Sequence, residues 1–115
     1  MEICDLASGL CAEVCGVDLG CEVDESIFTT VHDALHERAI LLFRDQVITP
    51  ESQVAFCRRL GDLRVSVLSQ YSLPGLPELQ IVSNIVENGR DIGIRDAGTM
   101  WHTDGAYLAT PDMYT

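Results

Sequence analysis

His102-Thr103-Asp104 is the triplet of this chain whose residue types and spacing speak most directly of chemistry. On an extended strand, residues two apart project from the same face. An imidazole and a carboxylate would then point together, with Thr103 pointing away. Two histidines and one carboxylate on one face of the ion, with the other positions open, form the ligand set of non-haem Fe(II) oxygenases. His-x-Asp supplies two of those three ligands compactly, and the third must come from elsewhere in the fold. Alone the triplet carries little weight, because it arises often by chance. Its plain alternative is a surface strand with an ordinary His and Asp. Its surroundings add to it: Asp96-Ala97-Gly98 and Trp101 precede it, and Gly105-Ala106-Tyr107 and Pro111 follow.

Other chemistry-bearing residues carry less. His32 and His36 stand four apart and share a helical face. The metalloprotease pattern needs Glu directly after its first His, and Asp33 stands there, so a solvated or partly packed face is the expectation. Cys4, Cys11, Cys15, Cys21 and Cys57 make no C-x-x-C pair and read as reduced thiols acting as small hydrophobes. Arg58-Arg59 reads as a surface pair with local ion pairing. Arg44 is expected to pair with a carboxylate and organise the domain. Glu87, Asp91 and Asp96 are expected in loops near the opening of that metal site, where they could order a lid. Ser83 lacks the G-x-S-x-G context of a nucleophile.

Elements must position these residues. Ala12 to Leu19 alternate around Val14, Val17 and Leu19, which predicts a short strand. Asp24, Glu25 and Ser26 supply capping chemistry for a helix over 27–38, with Ile27, Val31, Ala34 and Leu35 on its apolar face. Ala39 to Phe43 is a short apolar run that predicts a buried strand. Thr49, Pro50 and Glu51 open a second helix, Val54, Phe56, Cys57 and Leu60 give its apolar positions, and Gly61 suits a left-handed residue past its end. Leu63 to Leu79 reads mostly as loop. Gln80 to Ser83 reads as a strand, and Asn88-Gly89 is a strong turn signal. Met100 to Asp104 is expected to begin another extended segment. The order predicts an α+β chain with strand-rich material toward its C-terminal end.

The bulk numbers bound the answer. A chain of 115 residues fits one domain at most, spanning 1–115, with a small core. Seven Lys and Arg against 18 Asp and Glu give a net charge of −11, which repels phosphate backbones and anionic lipid surfaces. No nucleic acid and no membrane partner is expected. No apolar run approaches the ~20 residues of a membrane span, and the start lacks the pattern of a signal peptide, so a cytoplasmic location is the default.

Ser83 to Gly89 followed by Trp101-His102-Thr103-Asp104 resembles the iron-binding region of the taurine dioxygenase-like (TauD/TfdA) family of Fe(II)/2-oxoglutarate-dependent dioxygenases. Three earlier blocks fit the same family in the same order: Ala12 to Leu19, Leu42 to Gln46, and Phe56 to Leu63. The resemblance covers roughly residues 10–115. It implies the N-terminal part of a double-stranded β-helix, or jelly roll, with two flanking helices, incomplete in this chain. It implies Fe(II) as metal, 2-oxoglutarate as co-substrate, O2, and a small organic substrate that is hydroxylated while 2-oxoglutarate is decarboxylated to succinate. His102 and Asp104 match the family's first two iron ligands. Trp101 is expected to pack behind them and fix the strand. Asn84 is a candidate for substrate contact, although a turn-forming Asn is the better reading.

The same resemblance sets limits. The family's second ligand His and the Arg that holds the far carboxylate of 2-oxoglutarate lie beyond Thr115. This chain alone is therefore expected to show no appreciable turnover. Taurine-acting members hold the sulfonate with a His and a Tyr after the second helix, whereas Arg64 to Tyr71 offers Ser66, Ser69 and Tyr71 and no His. Taurine specificity is not carried over. A full-length form could be a homo-oligomer. Two other readings stand beside the oxygenase: a non-enzymatic cupin-like or decayed domain that binds a small molecule or partner, and a hydrolase using one zinc.

Overall fold

The computed structural model describes residues 1–7 and 9–114. Among them the arrangement is α+β, as the order of apolar periodicities predicts. Strand β1 (Glu2–Ala7) pairs antiparallel with β2 (Cys11–Cys15), which pairs in parallel with β3 (Ile40–Leu42). Helix α1 (Glu25–Arg38) makes the crossover that a parallel pair requires. Helix α2 (Pro50–Leu60) follows.

In this sheet two predicted strands are shorter than expected, and β1 was not foreseen. β2 ends at Cys15 because Gly16 has φ 74 and turns the chain. β3 starts at Ile40 because Ala39 caps α1, with φ 60 and its N–H donating to the Leu35 carbonyl at 2.9 Å. β3 is an edge strand, and Ile40 is exposed rather than buried. β1 carries Glu2 and Asp5, residues that disfavour strands. Its register comes from pairing with β2, and Asp5 accepts from Arg38 Nε at 2.8 Å.

The core lies between β2, the 16–23 segment and the two helices. Val14, Val17, Leu19, Val23, Phe28 and Val31 form one buried cluster, flanked by Ile3, Ile27, Leu41, Phe43, Phe56 and Leu60. The inner face of α1 is thus set by Phe28, Val31 and Ala34, with Ile27 and Leu35 at its margin. Gln46 satisfies the backbone of the neighbouring loop: its Oε1 accepts from Leu19 N at 2.8 Å, and its Nε2 donates to the Val17 carbonyl at 3.1 Å. Arg44 Nε meets Glu13 at 3.1 Å, the carboxylate pairing expected of it.

Helix α2 begins as its sequence predicts, with the Thr49 hydroxyl accepting from Ser52 N at 3.1 Å and Pro50 in the first turn. Its end differs: Gly61 (φ 161, ψ −173) is extended, not left-handed. Asp24 occupies the N-cap of α1 without a side-chain hydrogen bond.

Beyond α2 the chain is hairpins and turns. The 63–79 segment, expected to be mostly loop, holds a short 3-10 turn (Ser69–Tyr71) and a hairpin of β4 (Ser72–Leu73) and β5 (Leu76–Gln80). Pro74-Gly75 at its tip, with Gly75 at φ 86, is hairpin chemistry as much as loop chemistry. The strand expected over Gln80 to Ser83 ends at Gln80, leaving one parallel bridge between Val82 and Ile94. Asn88 (φ 50) and Gly89 (φ 77) form the expected turn between β6 (Val86–Glu87) and β7 (Arg90–Asp91), both central residues having the positive φ of a type I′ turn.

Candidate metal centre

Met100 to Asp104 is not a strand. No ladder partner lies beside it among the described residues, and an extended segment needs one to be held as β-structure. The approach of His102 to Asp104 therefore has another origin. Gly98 (φ 72) turns the chain before the pair, and a turn over Asp104 to Tyr107 follows it, with Gly105 at φ 64 and Leu108 N donating to the Gly105 carbonyl at 2.9 Å.

The two side chains converge. His102 Nε2 stands 3.2 Å from Asp104 Oδ1. The opposite ring nitrogen, Nδ1, is 2.6 Å from the Met100 carbonyl oxygen. A carbonyl can only accept, so Nδ1 carries a proton. Nε2 faces Asp104, donating to it when the ring is protonated and offering its lone pair to a cation when it is not. A backbone acceptor on one nitrogen that frees the other is the usual arrangement of a metal-binding histidine. Two donors each ~2.1 Å from one divalent ion and 90–110° apart stand roughly 3.0–3.4 Å from each other. The observed separation fits that spacing, and the donor set of imidazole and carboxylate suits Fe(II). Both side chains are about half exposed, at 53% and 49%, so an ion and further ligands have access.

A clamp that the sequence did not reveal braces the turn. Asp112 lies against Gly105, where any Cβ would meet its carboxylate at 2.7 Å. The Arg64 guanidinium holds Asp112 through two hydrogen bonds, with Nε donating to Oδ1 at 2.8 Å and Nη2 to Oδ2. That hydrogen bonding keeps the Asp112 carboxyl below its ordinary value despite partial desolvation. Arg64 and Asp112 are 48 positions apart, and no local pattern links them. Only the glycine after Asp104 hints that something must approach closely.

The remaining candidates are placed as follows. Trp101 is fully exposed, so the packing expected for it behind the pair is not seen among the described residues. Asn84 is exposed and follows Ser83, whose hydroxyl accepts from Ile85 N at 3.1 Å, which puts it in a turn. Asp91 pairs with Arg95 at 2.6 Å. Arg58 pairs with Glu78, and Arg59 pairs with Glu25 while its guanidinium sits 4.0 Å over the Phe28 ring. All five cysteines are free. A hydrogen bond to Asp18 raises the Cys21 thiol and burial raises Cys57, so neither is a ready thiolate. Among the described residues, no group of three or more His, Cys, Asp or Glu converges on one point, so this chain places two such donors at the centre and not three.

Comparison with known proteins gives these features a context. The model of the family described as "Taurine catabolism dioxygenase TauD, TfdA family" matches residues 2–115. Pentalenolactone F synthase of Streptomyces arenae is 37% identical over 99 residues, covering 84% of this chain and 33% of that protein. The (S)-phenoxypropionate/alpha-ketoglutarate-dioxygenase of Sphingobium herbicidovorans is 30% identical over 107 residues, covering 93% of this chain and 36% of that protein. The chain thus spans about a third of the length of these curated relatives. Among solved structures, AAD-2 in complex with Mn(II) and N-oxalylglycine shares the fold at TM-score 0.64, with 22% identity over 96% of this chain and 34% of that one.

Proposed function

The chain belongs to the taurine catabolism dioxygenase TauD, TfdA family, and from that premise we propose that it is the N-terminal part of an Fe(II)- and 2-oxoglutarate-dependent dioxygenase domain that hydroxylates a small organic molecule. In this reading the helices and hairpins flank an incomplete jelly roll. His102 and Asp104 hold the iron, and the third ligand and the 2-oxoglutarate-binding arginine come from outside these 115 residues. The observation that carries the reading is the 3.2 Å convergence of His102 Nε2 on Asp104 Oδ1 with Nδ1 engaged by Met100.

His102 and Asp104 would hold an iron that supplies O2 activation, coupled to the oxidative decarboxylation of 2-oxoglutarate to succinate and CO2. The residues of this chain orient and present. Met100 fixes the ring tautomer, Gly98 and Gly105 set the turns, and Asp112 with Arg64 buttresses the second turn. Asn84 remains a candidate substrate contact, and Trp101 a candidate packing residue behind the ligands. The names of the relatives support the reaction type more than any one substrate. A cytoplasmic setting suits five free thiols.

Mn(II) titration followed by NMR tests the centre. Paramagnetic broadening is expected first at His102 and Asp104, and His102→Ala should abolish it there. Broadening confined to other residues would sink the assignment. The isolated chain, given Fe(II), 2-oxoglutarate and candidate substrates, is expected to release no appreciable succinate. Robust release would overturn the view that further chain is needed.

A further inference from the structure

His32 and His36 do more than share a face of α1. Their Nε2 atoms stand 3.2 Å apart, with ring centroids 4.5 Å apart. Tyr114 comes to the same point from 78 positions away, its hydroxyl 2.7 Å from His36 Nε2. Two groups thus approach a single nitrogen that has either one proton or one lone pair to offer, so hydrogen bonding satisfies one of them well at best. His32 Nδ1 faces Asp33 Oδ1 at 3.7 Å, on the far side of its ring, so Nε2 is the nitrogen turned toward His36. Its ring is further oriented by stacking on Phe28, centroids 6.1 Å apart.

We propose that His32, His36 and Tyr114 form a second divalent-metal site, for a borderline cation such as Zn²⁺, separate from His102 and Asp104. Two nitrogens ~2.0–2.1 Å from one zinc at a tetrahedral angle stand roughly 3.3 Å apart, so the imidazoles already have chelating spacing. A cation among the three atoms would accept from all of them at once, which hydrogen bonding cannot do. Imidazole nitrogens with one phenol oxygen suit Zn²⁺, Ni²⁺ or Cu²⁺ over Mg²⁺ or Ca²⁺. His36 is exposed and His32 half-exposed, so metal can enter and water can complete the shell. Binding releases to solvent any proton carried by the ligating atoms. The ion would tie the segment ending at Tyr114 to α1. Asp112, which braces the turn after Asp104, lies in that segment, so the site would steady the candidate iron ligands from a distance.

The chain has three histidines, which makes the test direct. Zn²⁺ is titrated into the tag-free, reduced 115-residue chain while the ring signals of His32, His36 and His102 are followed by NMR. The expected result is that His32 and His36 move together and saturate with one equivalent. His36→Asn should weaken this event by at least about tenfold and leave His32 in place, and Tyr114→Phe should weaken it severalfold. His102→Ala should not change it. Because the unmodified chain gives the first readout, a variant that fails to fold does not decide the matter. Immobile or independently moving His32 and His36 signals would overturn the proposal, as would unchanged affinity in Tyr114→Phe.

Discussion

In residues 1–60, apolar side chains from β2, α1 and α2 close on one another, and Val31 is 2% exposed. In residues 61–114 the buried positions among the described residues are Gly93 and Gly105, and neither has a side chain to pack. Turns and ion pairs hold that half: positive φ at Asn88, Gly89, Gly98 and Gly105, and the pairs Arg95–Asp91 and Arg64–Asp112. The candidate ligands lie in this second half. Stability and chemistry are thus assigned to different stretches, and the chemical stretch has few of the contacts that resist local opening.

The largest expected effect tests the packed half. Phe28 is 8% exposed, meets Phe56 edge-on at 5.9 Å and carries the Arg59 guanidinium over its ring. Phe28→Ala should cost ~3–5 kcal/mol, a large share of a small domain's ~5–15 kcal/mol. Urea unfolding followed by far-UV circular dichroism reads it. A cost below about 1 kcal/mol would mean the two halves do not differ as described.

Gly105→Ala probes the other half. A positive φ at a residue bearing Cβ, with Asp112 2.7 Å from that Cβ, should cost ~1–3 kcal/mol locally. We expect faster amide exchange at Leu108, whose N–H closes the turn, and an unchanged urea midpoint for the helices. A shifted helix midpoint would show the halves unfolding as one.

What the sequence disclosed follows the same division. The helices were legible because Ile27, Val31, Ala34 and Leu35, or Thr49 and Pro50, act within one or two turns of chain, although Phe28 is buried where Ile27 and Leu35 lie at the margin. The Asn88-Gly89 turn was legible because both residues tolerate positive φ. β1 was not, since Glu2 and Asp5 argue against a strand and only the β2 ladder overrides them. The His102–Asp104 pairing was anticipated on a wrong support: a strand was expected, and turns with a Met100 hydrogen bond bring the two together. Arg64–Asp112 and His36–Tyr114 span 48 and 78 positions, distances over which residue types carry no pairing information.

A smaller effect comes with acid. The Arg64 hydrogen bonds hold the folded Asp112 carboxyl below its ordinary value. The clamp's contribution is therefore fully present above the ordinary carboxylate range near pH 4. It should fade as pH falls through that range and be gone below the depressed folded value. Side-chain NMR of Asp112 should report a titration midpoint lower than that of an unpaired aspartate. Arg64→Ala should return it to the ordinary value while leaving the helices untouched. A normal midpoint in the unmodified chain would remove the brace from beneath Gly105.

The smallest expected effect sharpens the comparison most. Trp101 has a larger apolar surface than Phe28, yet it is fully exposed and Phe28 is not. Trp101→Ala should change stability by no more than about 0.5 kcal/mol, the range of substitutions that touch nothing. The same truncation of an aromatic ring would then cost several kcal/mol at one site and almost none at the other, with burial the difference. Repeating Trp101→Ala in a chain of the relatives' length asks what the ring packs against when more protein is present. A cost there near that of Phe28→Ala would place the missing packing around the candidate ligands outside these 115 residues. A continued null would make Trp101 a surface residue, and the His102 ring would then depend on Met100 and the turns for its orientation.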